Sequence, residues 1–153
     1  MRIALGADHR GFLLKTILLP EVARLGHVAV DLGAFELIPG DDYTVYADAV
    51  VLAVKRGEAD LGVLICGSGE GMAMEANRTL GIRAAVVWRP EVATSSRKHN
   101  NANILVLPAD YITREESLAS LEAFIATSFS GEERHQRRIV AMDSPHPTQF
   151  TNA

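Results

Sequence analysis

The sequence is short of several features that mark whole classes of proteins. Its 153 residues include one cysteine, which excludes a fold held together by internal disulfides. No apolar run approaches the roughly 20 residues that span a bilayer, and the N-terminal segment lacks the pattern of a signal peptide. We therefore expect a protein of the reducing cytoplasm that has no contact with a membrane.

A surplus of positive charge is also absent. The chain carries 15 Lys and Arg against 19 Asp and Glu, a formal net charge of −4, which argues against a nucleic-acid partner. Its five histidines and one cysteine fit neither the HExxH pattern nor the ligand spacing of zinc sites. The sequence thus predicts no metal site and no nucleic acid as partner.

What is present is enough apolar sequence for a core, 48% of the residues, in short runs that alternate with helical patterns. Strands are predicted at Arg2–Ala7, Val28–Leu32, Leu61–Cys66, Ile82–Val87 and Asn103–Leu107. Helices are predicted at Gly11–Leu25, Val45–Arg56, Gly71–Thr79, Pro90–Lys98, Arg114–Thr127 and Glu132–Met142. Most strand runs are continuously apolar, as in a parallel sheet covered on both faces. The pattern predicts an α/β fold, a three-layer α/β/α sandwich with a five-stranded parallel, Rossmann-like sheet and C-terminal helices.

No internal repeat is visible, and no linker is long enough to divide the chain. We expect one domain over residues 1–143 and a C-terminal tail over residues 144–153 that contains Pro145 and Pro147. The clearest loop is predicted at Pro39–Asp42.

The most informative segment is a glycine-rich turn after the third predicted strand. An apolar run ends in Cys66 and continues as Gly67-Ser68-Gly69-Glu-Gly71 into a helix. Backbone N–H groups and the helix dipole favour an anion at such a turn, and the same field should lower the pKa of the thiol towards the reactive thiolate. The segment therefore offers a base and an anion-binding turn, although free cysteines are often simply buried in a core.

Known phosphate-binding loops do not match the glycines of this chain. The segment Gly6–Gly11 has P-loop spacing, but Phe12 and Leu13 stand where lysine and a hydroxyl residue would contact phosphate and magnesium. The glycines of residues 67–71 are spaced too closely for a dinucleotide fingerprint and follow the third strand, not the first. An ATP or NAD enzyme is therefore not expected, and no cofactor is predicted.

Further polar residues follow other predicted strands and helices. Asp8 and His9 follow the first strand, Ser68 follows the third, and His99 and Asn100 close the helix after the fourth. Since ligands of such sheets bind beyond the carboxyl ends of the strands, we expect these side chains to converge on that edge. Each also has a simpler interpretation: a helix cap for Asp8, a turn residue for Ser68, a helix exit for the asparagine.

Two charged groups on predicted helices complete the candidate site. Arg134 and Arg138 are four residues apart and share a helix face, so they could hold one phosphate together. The alternative is a solvated basic face balanced by Glu132 and Glu133. Glu75 lies one turn into the helix after the glycine turn and is either a second candidate base or an ordinary surface residue.

Taken together, these motifs resemble the type B ribose-5-phosphate isomerases, a family that includes the subunits of galactose-6-phosphate isomerase. The resemblance runs in order from residue 1 to about residue 142. It is carried by the segments Gly-Ala-Asp8-His9-Arg-Gly-Phe, Asp42-Tyr43, Ile-Cys66-Gly-Ser68-Gly-Glu-Gly, Glu75-Ala-Asn77, Gly-Ile-Arg83-Ala-Ala, His99-Asn100-Asn101-Ala-Asn and Arg134-His135-Gln-Arg-Arg138.

The resemblance implies a cofactor-free aldose–ketose isomerase that interconverts ribose 5-phosphate and ribulose 5-phosphate. Cys66 would move a proton between C2 and C1 of the sugar, although some relatives lack the cysteine and use a glutamate at the position of Glu75. Ser68 and the amides of the turn would stabilise the enediolate; the turn glycines are Gly67, Gly69 and Gly71.

The resemblance also implies a homodimer or a dimer of dimers whose active sites are built between subunits. His99 of the partner subunit, assisted by Asp8, would open the sugar ring. The remaining implied roles are contacts to the sugar by Asn100 and Tyr43, and contacts to the phosphate by His9, Arg134 and Arg138.

Two departures from the family pattern bear on the substrate. After the fifth strand the family commonly carries a phosphate-binding arginine, whereas this chain has Asp110, and the motif Asp-Tyr-Pro reads Asp42-Tyr43-Thr44. Arg10 or Arg89 would then have to supply the missing charge. An isomerase of the same mechanism that acts on a tetrose phosphate, galactose 6-phosphate or a free sugar is therefore the alternative, and a non-catalytic sugar-phosphate-binding subunit is an alternative of a different class.

Overall fold

Strands and helices alternate along residues 1–144, which a computed structural model describes. The strands are β1 (Arg2–Ala7), β2 (Val28–Asp31), β3 (Leu61–Cys66), β4 (Ala84–Val86) and β5 (Ile104–Pro108). The helices are α1 (Phe12–Arg24), α2 (Tyr43–Lys55), α3 (Glu70–Ala76), α4 (Pro90–Asn100), α5 (Arg114–Ala126) and α6 (Glu133–Met142). Residues 145–153, with Pro145 and Pro147, lie outside the described residues, so the division into a domain and a tail stays a prediction.

The five strands form one parallel sheet in the order β2-β1-β3-β5-β4, so the predicted sheet is confirmed. Among the strands, the largest boundary difference is at β4, where the prediction began at Ile82. Side-chain amides bind the backbone at the start of this strand: Asn77 pairs with both backbone groups of Ala84, and Asn103 accepts from the N–H of Arg83.

Helices cover both faces of the sheet and bury a separate core on each side. Helices α1, α4 and α5 pack on one face through Leu18, Val22, Ala93, Leu121 and Phe124. Helices α2 and α3 pack on the other through residues such as Val50 and Met72. All six residues of the central strand β3 are buried, which is why it is continuously apolar, and each large aliphatic side chain buried this way contributes roughly 1.5–3 kcal/mol. None of the described helices combines the length and apolar character needed to cross a membrane.

A parallel sheet has two chemically distinct edges, and the connections decide which residues reach each one. We call the edge where β1, β3 and β5 end the carboxyl edge, and the edge where the strands begin the amino edge. Helix α4 leaves the end of β4 and returns to the beginning of β5, because a crossover helix runs antiparallel to the strands it joins. Its 11 residues cover about 16 Å.

His99 and Asn100, at the end of α4, therefore lie at the amino edge. The expectation that they converge with Asp8, His9 and Ser68 on the carboxyl edge is wrong, whereas it holds for those three residues. Helix α6 packs beside α4 and ends near the start of β4, where Asp143 accepts a hydrogen bond from Arg83 at 2.8 Å.

Candidate active site

The first turn after β1 places a carboxylate beside the only cysteine. Asp8 is buried, and its Oδ1 accepts the N–H groups of Arg10 and Gly11 at 3.0 Å each, in the turn that precedes α1. A Cβ atom at Gly11 would lie 2.2 Å from the carbonyl oxygen of Ile65. Only glycine therefore lets this turn lie against the end of β3, and Asp8 uses one oxygen for the turn while the other remains free for Cys66.

Cys66 ends β3 with 8% of its surface exposed, and its thiol donates a hydrogen bond to Oδ2 of Asp8 at 3.0 Å. Burial, together with the hydrogen bond and the negative charge of Asp8, raises the pKa of Cys66 to about 11. The amides of Gly67 and Gly69 act in the opposite direction, as the glycine turn predicts, but they are outweighed. The expectation of a lowered thiol pKa is thus wrong for the single chain, because the sulfur is buried and a carboxylate 58 residues away in sequence lies beside it.

The glycine turn itself leaves little room for side chains at its glycine positions. Gly69 adopts φ +79° as the N-cap of α3, a left-handed conformation that favours glycine. A Cβ at Gly71 would lie 2.6 Å from the ring of Tyr43. Ser68 is exposed, and its hydroxyl accepts only a long contact of 3.4 Å from the N–H of Glu70. The Ser68 hydroxyl can therefore still bind a ligand.

A cavity of about 410 Å³ opens around these groups at the carboxyl edge. It brings together six of the residues predicted for the site and four that the prediction of site residues did not include. Its lining consists of Asp8, His9, Arg10, Asp41, Tyr43, Cys66, Gly67, Ser68, Asp110 and Tyr111. We call this cavity the Cys66 pocket.

Asp41 is the most firmly bound of the missed residues. Its Oδ1 accepts hydrogen bonds from the backbone N–H of His9 at 2.9 Å and from Nδ1 of the same imidazole at 2.7 Å. Burial alone would raise the pKa of Asp41, but the bonds from His9 together with a hydrogen bond from Tyr46 outweigh it, so that the pKa is lowered. Only the folding of the loop that contains Pro39–Asp42 over the end of β1 reveals this contact, and no sequence spacing signals it.

The predicted residues that lie outside the glycine turn and do not line the Cys66 pocket are His99, Asn100, Arg134, Arg138 and Glu75. The ring of His99 stacks on that of His135 with centroids 4.7 Å apart. Arg134 and Arg138 flank His135 on α6 and are exposed, and Arg134 pairs with Glu132 at 2.9 Å, in keeping with a solvated basic face in the single chain. His135 is buried, and burial and the charge of Arg134 lower its pKa.

Asn100 and Glu75 complete the survey of predicted residues. Asn100 lines a second cavity, also of about 410 Å³, between β4, α4 and the end of α6. Glu75 does not line the Cys66 pocket, and its carboxylate pairs with Arg78 at 3.4 Å. Among residues 1–144, no cluster of three or more His, Cys, Asp or Glu side chains could hold a metal ion.

Comparison with known proteins bears directly on this arrangement. Residues 3–142 match the sequence model of the ribose/galactose isomerase family. The chain belongs to this family. The resemblance carried by its sequence motifs is thereby confirmed.

Individual relatives of this isomerase cover nearly its whole length. Ribose-5-phosphate isomerase B of Escherichia coli is 38% identical over 141 residues, which cover 92% of this chain and 93% of the relative. That of Mycolicibacterium paratuberculosis is 38% identical over 139 residues, 91% of this chain and 87% of the relative. The crystal structure of a ribose 5-phosphate isomerase from Thermotoga maritima has a TM-score of 0.89 at 42% identity, covering 93% of this chain and 97% of that chain. Ribose-5-phosphate isomerase B from Mycoplasma genitalium, solved with bound ribulose 5-phosphate, has a TM-score of 0.88 at 37% identity, covering 93% of both chains.

Proposed function

We propose that this protein interconverts ribose 5-phosphate and ribulose 5-phosphate through an enediolate, with Cys66 as the base. The observation that carries the proposal is the meeting of a buried thiol, a carboxylate and an amide-lined turn in one cavity. Proton abstraction beside a carbonyl needs a base and a site for the developing oxyanion. The named activity of full-length relatives agrees with this assignment, and no cofactor is required by it. A lone free cysteine suits the reducing cytoplasm, where we place the enzyme.

The raised pKa of Cys66 means that this mechanism needs a way to form the thiolate near neutral pH. A thiol with a pKa of about 11 is about one part in ten thousand thiolate at pH 7, which corresponds to a cost of about 5 kcal/mol. A positive charge within roughly 4–6 Å lowers such a pKa by about 1–3 units. We therefore infer that cations approach the sulfur when the site is complete, and that Ser68 and the amides of Gly67 and Gly69 then hold the enediolate oxygens.

The required cations favour a site shared between two chains. His99, Arg134 and Arg138 lie at the amino edge, away from their own Cys66 pocket, and that pocket is lined by the three carboxylates of Asp8, Asp41 and Asp110. A second copy of the chain that brings its amino edge to the pocket would supply opposite charge and a ring-opening imidazole. We propose a homodimer, or a dimer of dimers, in which His99, Asn100, Arg134 and Arg138 of the partner subunit complete the site around Tyr43 and His9.

The activity is tested by incubating the purified protein with ribose 5-phosphate and following ribulose 5-phosphate. In deuterated water, NMR should show deuterium entering the sugar at the isomerising carbons, because the abstracted proton exchanges with solvent. Binding without exchange would favour a non-catalytic sugar-phosphate-binding subunit and would contradict the proposal.

The shared site is tested by mixing two inactive variants, Cys66→Ser and His99→Asn. After random subunit exchange about half of the dimers are hybrids with one intact and one doubly damaged site, so activity should return to roughly a quarter of the wild-type value. Hybrids that form by native mass spectrometry yet stay inactive would show that both residues serve the site of their own chain.

A second candidate substrate is favoured by one observation, the carboxylate of Asp110 in the pocket. An extra negative charge disfavours a phosphate and can accept hydrogen bonds from sugar hydroxyls. A panel of ribose 5-phosphate, a tetrose phosphate, galactose 6-phosphate and free aldoses decides between these substrates by kcat/KM. Preference for a sugar other than ribose 5-phosphate would retain the mechanism and replace the substrate.

A further inference from the structure

An arginine–aspartate pair lies over the glycine turn at the mouth of the Cys66 pocket. Arg10 follows β1 and Asp110 follows β5, and a terminal nitrogen of Arg10 donates to Oδ2 of Asp110 at 2.5 Å. The backbone N–H of Asp110 donates to the carbonyl oxygen of Gly67 at 3.0 Å. A Cβ at Gly67 would lie 2.6 Å from Nε of Arg10 and 2.7 Å from Oδ2 of Asp110, so both charged groups rest directly on the turn.

Arg10 is the permanently charged cation among the described residues that line this pocket. It is the one Lys or Arg among the described residues that line the cavity, and Arg89, the other arginine considered from the sequence, precedes α4 and does not line it. The carboxylates of Asp8 and Asp41 are already engaged, by backbone amides and the thiol and by His9 respectively. A phosphate monoester carries about −1.5 to −2 charges at pH 7, so the contribution of this chain's own pocket to binding it depends on Arg10 and the neutral donors around it.

The guanidinium is held in a way that leaves it able to bind a second anion. Its side-chain contact with Asp110 uses one terminal nitrogen, and the side chains of Arg10 and Asp110 are 56% and 34% exposed. An exposed ion pair of this kind changes an equilibrium constant by roughly fivefold or less. A phosphate that engages two N–H groups of the planar guanidinium binds more strongly than a single carboxylate contact, so it can displace Asp110 at little cost.

We propose that Arg10 binds the phosphate of the substrate. In the site without substrate Arg10 instead forms an ion pair with Asp110, and the phosphate displaces this carboxylate. The identity of the phosphate as part of a sugar phosphate rests on the proposed function. Asp110 is then a specificity-determining residue: it weakens the binding of every anion and makes the site select ligands that contact Arg10 and the sugar-binding groups together.

The experiment measures the affinity of inorganic phosphate by titration calorimetry, and KM and kcat for ribose 5-phosphate. The variants are Arg10→Ala, Arg10→Lys and Asp110→Asn. Arg24→Ala is the matched control, because Arg24 also forms an exposed arginine–carboxylate pair, with Glu21 on α1, and does not line the pocket. Thermal melting of each variant verifies that it folds.

Arg10→Ala should weaken phosphate binding and raise KM by about tenfold to a hundredfold, with kcat changed much less, because a charge-assisted contact to the substrate is lost. Arg10→Lys should fall between this variant and the wild type, since it keeps the charge without the planar fork. Asp110→Asn should tighten phosphate binding by about twofold to fivefold. Affinity for unphosphorylated ribose should be the same in Arg10→Ala and Arg24→Ala.

Two results would overturn the proposal. If Arg10→Ala binds phosphate as well as Arg24→Ala does, Arg10 is not the phosphate ligand. If Asp110→Asn binds phosphate more weakly than the wild type, the carboxylate supports Arg10 and is not displaced. The calorimetry does not depend on turnover, so a protein that binds phosphate through Arg10 but fails to isomerise ribose 5-phosphate would refute the proposed function alone.

Discussion

The carboxyl edge of the sheet gathers a buried thiol and three carboxylates, whereas the amino edge gathers two stacked histidines and the arginines of α6. At the carboxyl edge most charged side chains and the thiol are paired: Asp8 with Cys66, Asp41 with His9, and Arg10 with Asp110. At the amino edge Arg134 and Arg138 are exposed, and buried His135 contacts His99 through its ring face alone. The two groups have complementary charge and complementary chemistry, yet one chain keeps them at opposite edges of its sheet.

If the active site is shared between two copies of the chain, as proposed, neither group is a complete site by itself. The Cys66 pocket holds a thiol whose pKa is raised to about 11, and among its described lining residues it has few cations to lower that pKa or to bind a phosphate. The amino edge has cations and an imidazole but no oxyanion-binding turn. Association of unlike edges from two copies would supply what each lacks, and the following experiments test each side of the comparison.

The largest expected effect comes from removing the base at the carboxyl edge. Cys66→Ser should lower kcat by about 10²–10⁴-fold while KM stays within a few-fold, because the hydroxyl keeps the shape but is a far weaker base. Steady-state kinetics on ribose 5-phosphate measure both constants. Glu75→Gln should be mild, since Glu75 lies outside the pocket; the reverse outcome for the two variants would transfer the role of base to Glu75.

The next largest effect is on stability and concerns the close packing of Gly11 against the end of β3. Gly11→Ala should lower the free energy of unfolding by about 1–3 kcal/mol or more, because the new Cβ would lie 2.2 Å from a backbone oxygen of β3. Gly67→Ala is the matched comparison, as its Cβ meets the movable ends of Arg10 and Asp110, and it should cost less. Urea denaturation measures both, and equal losses would show that the contact of α1 with β3 is not a tight constraint.

A smaller effect tests the cause of the raised thiol pKa. The hydrogen bond and charge of Asp8 both raise the pKa of Cys66, so Asp8→Asn should lower it. At a fixed pH below the pKa the thiolate fraction rises tenfold for each unit by which the pKa falls. Alkylation by iodoacetamide at pH 8 should therefore be faster by about tenfold. Asp48→Asn, at an exposed carboxylate of α2, serves as control, and an unchanged or slower rate in Asp8→Asn would contradict the account.

The smallest effect concerns the amino edge and the pH dependence of stability. Burial lowers the pKa of His135 in the folded chain, so the unfolded chain takes up this proton first when the pH falls below about 6.5. Stability is then fully present above that pH and is lost as the solution is acidified. His135→Phe keeps a ring against His99 and should lose less melting temperature between pH 7 and pH 5 than the wild type; an equal loss would show that His135 does not titrate in this way.

The strands and the glycine turn could be predicted from the sequence because they depend on residues that are close together along the chain. Apolar runs, most of them continuous, predicted every strand, and the spacing of Cys66, Ser68 and the turn glycines predicted the end of β3 and the start of α3. Asp8 and His9 were expected beside them because parallel strands end at one edge. His99 lies at the opposite edge because the crossover helix returns to the beginning of the next strand, a direction that follows from connectivity alone.

Other features depend on contacts between distant segments, and no spacing in the sequence encodes them. The raised pKa of Cys66 depends on burial and on Asp8, which is 58 residues away, and the orientation of His9 depends on Asp41. The contact between Arg10 and Asp110 joins loops 100 residues apart. By itself the sequence determined the sheet, the glycine turn and the identity of the thiol, because backbone periodicity and turn chemistry are local. The tertiary structure alone decided the charge around that thiol, because electrostatic interactions follow distance in space and not separation along the chain.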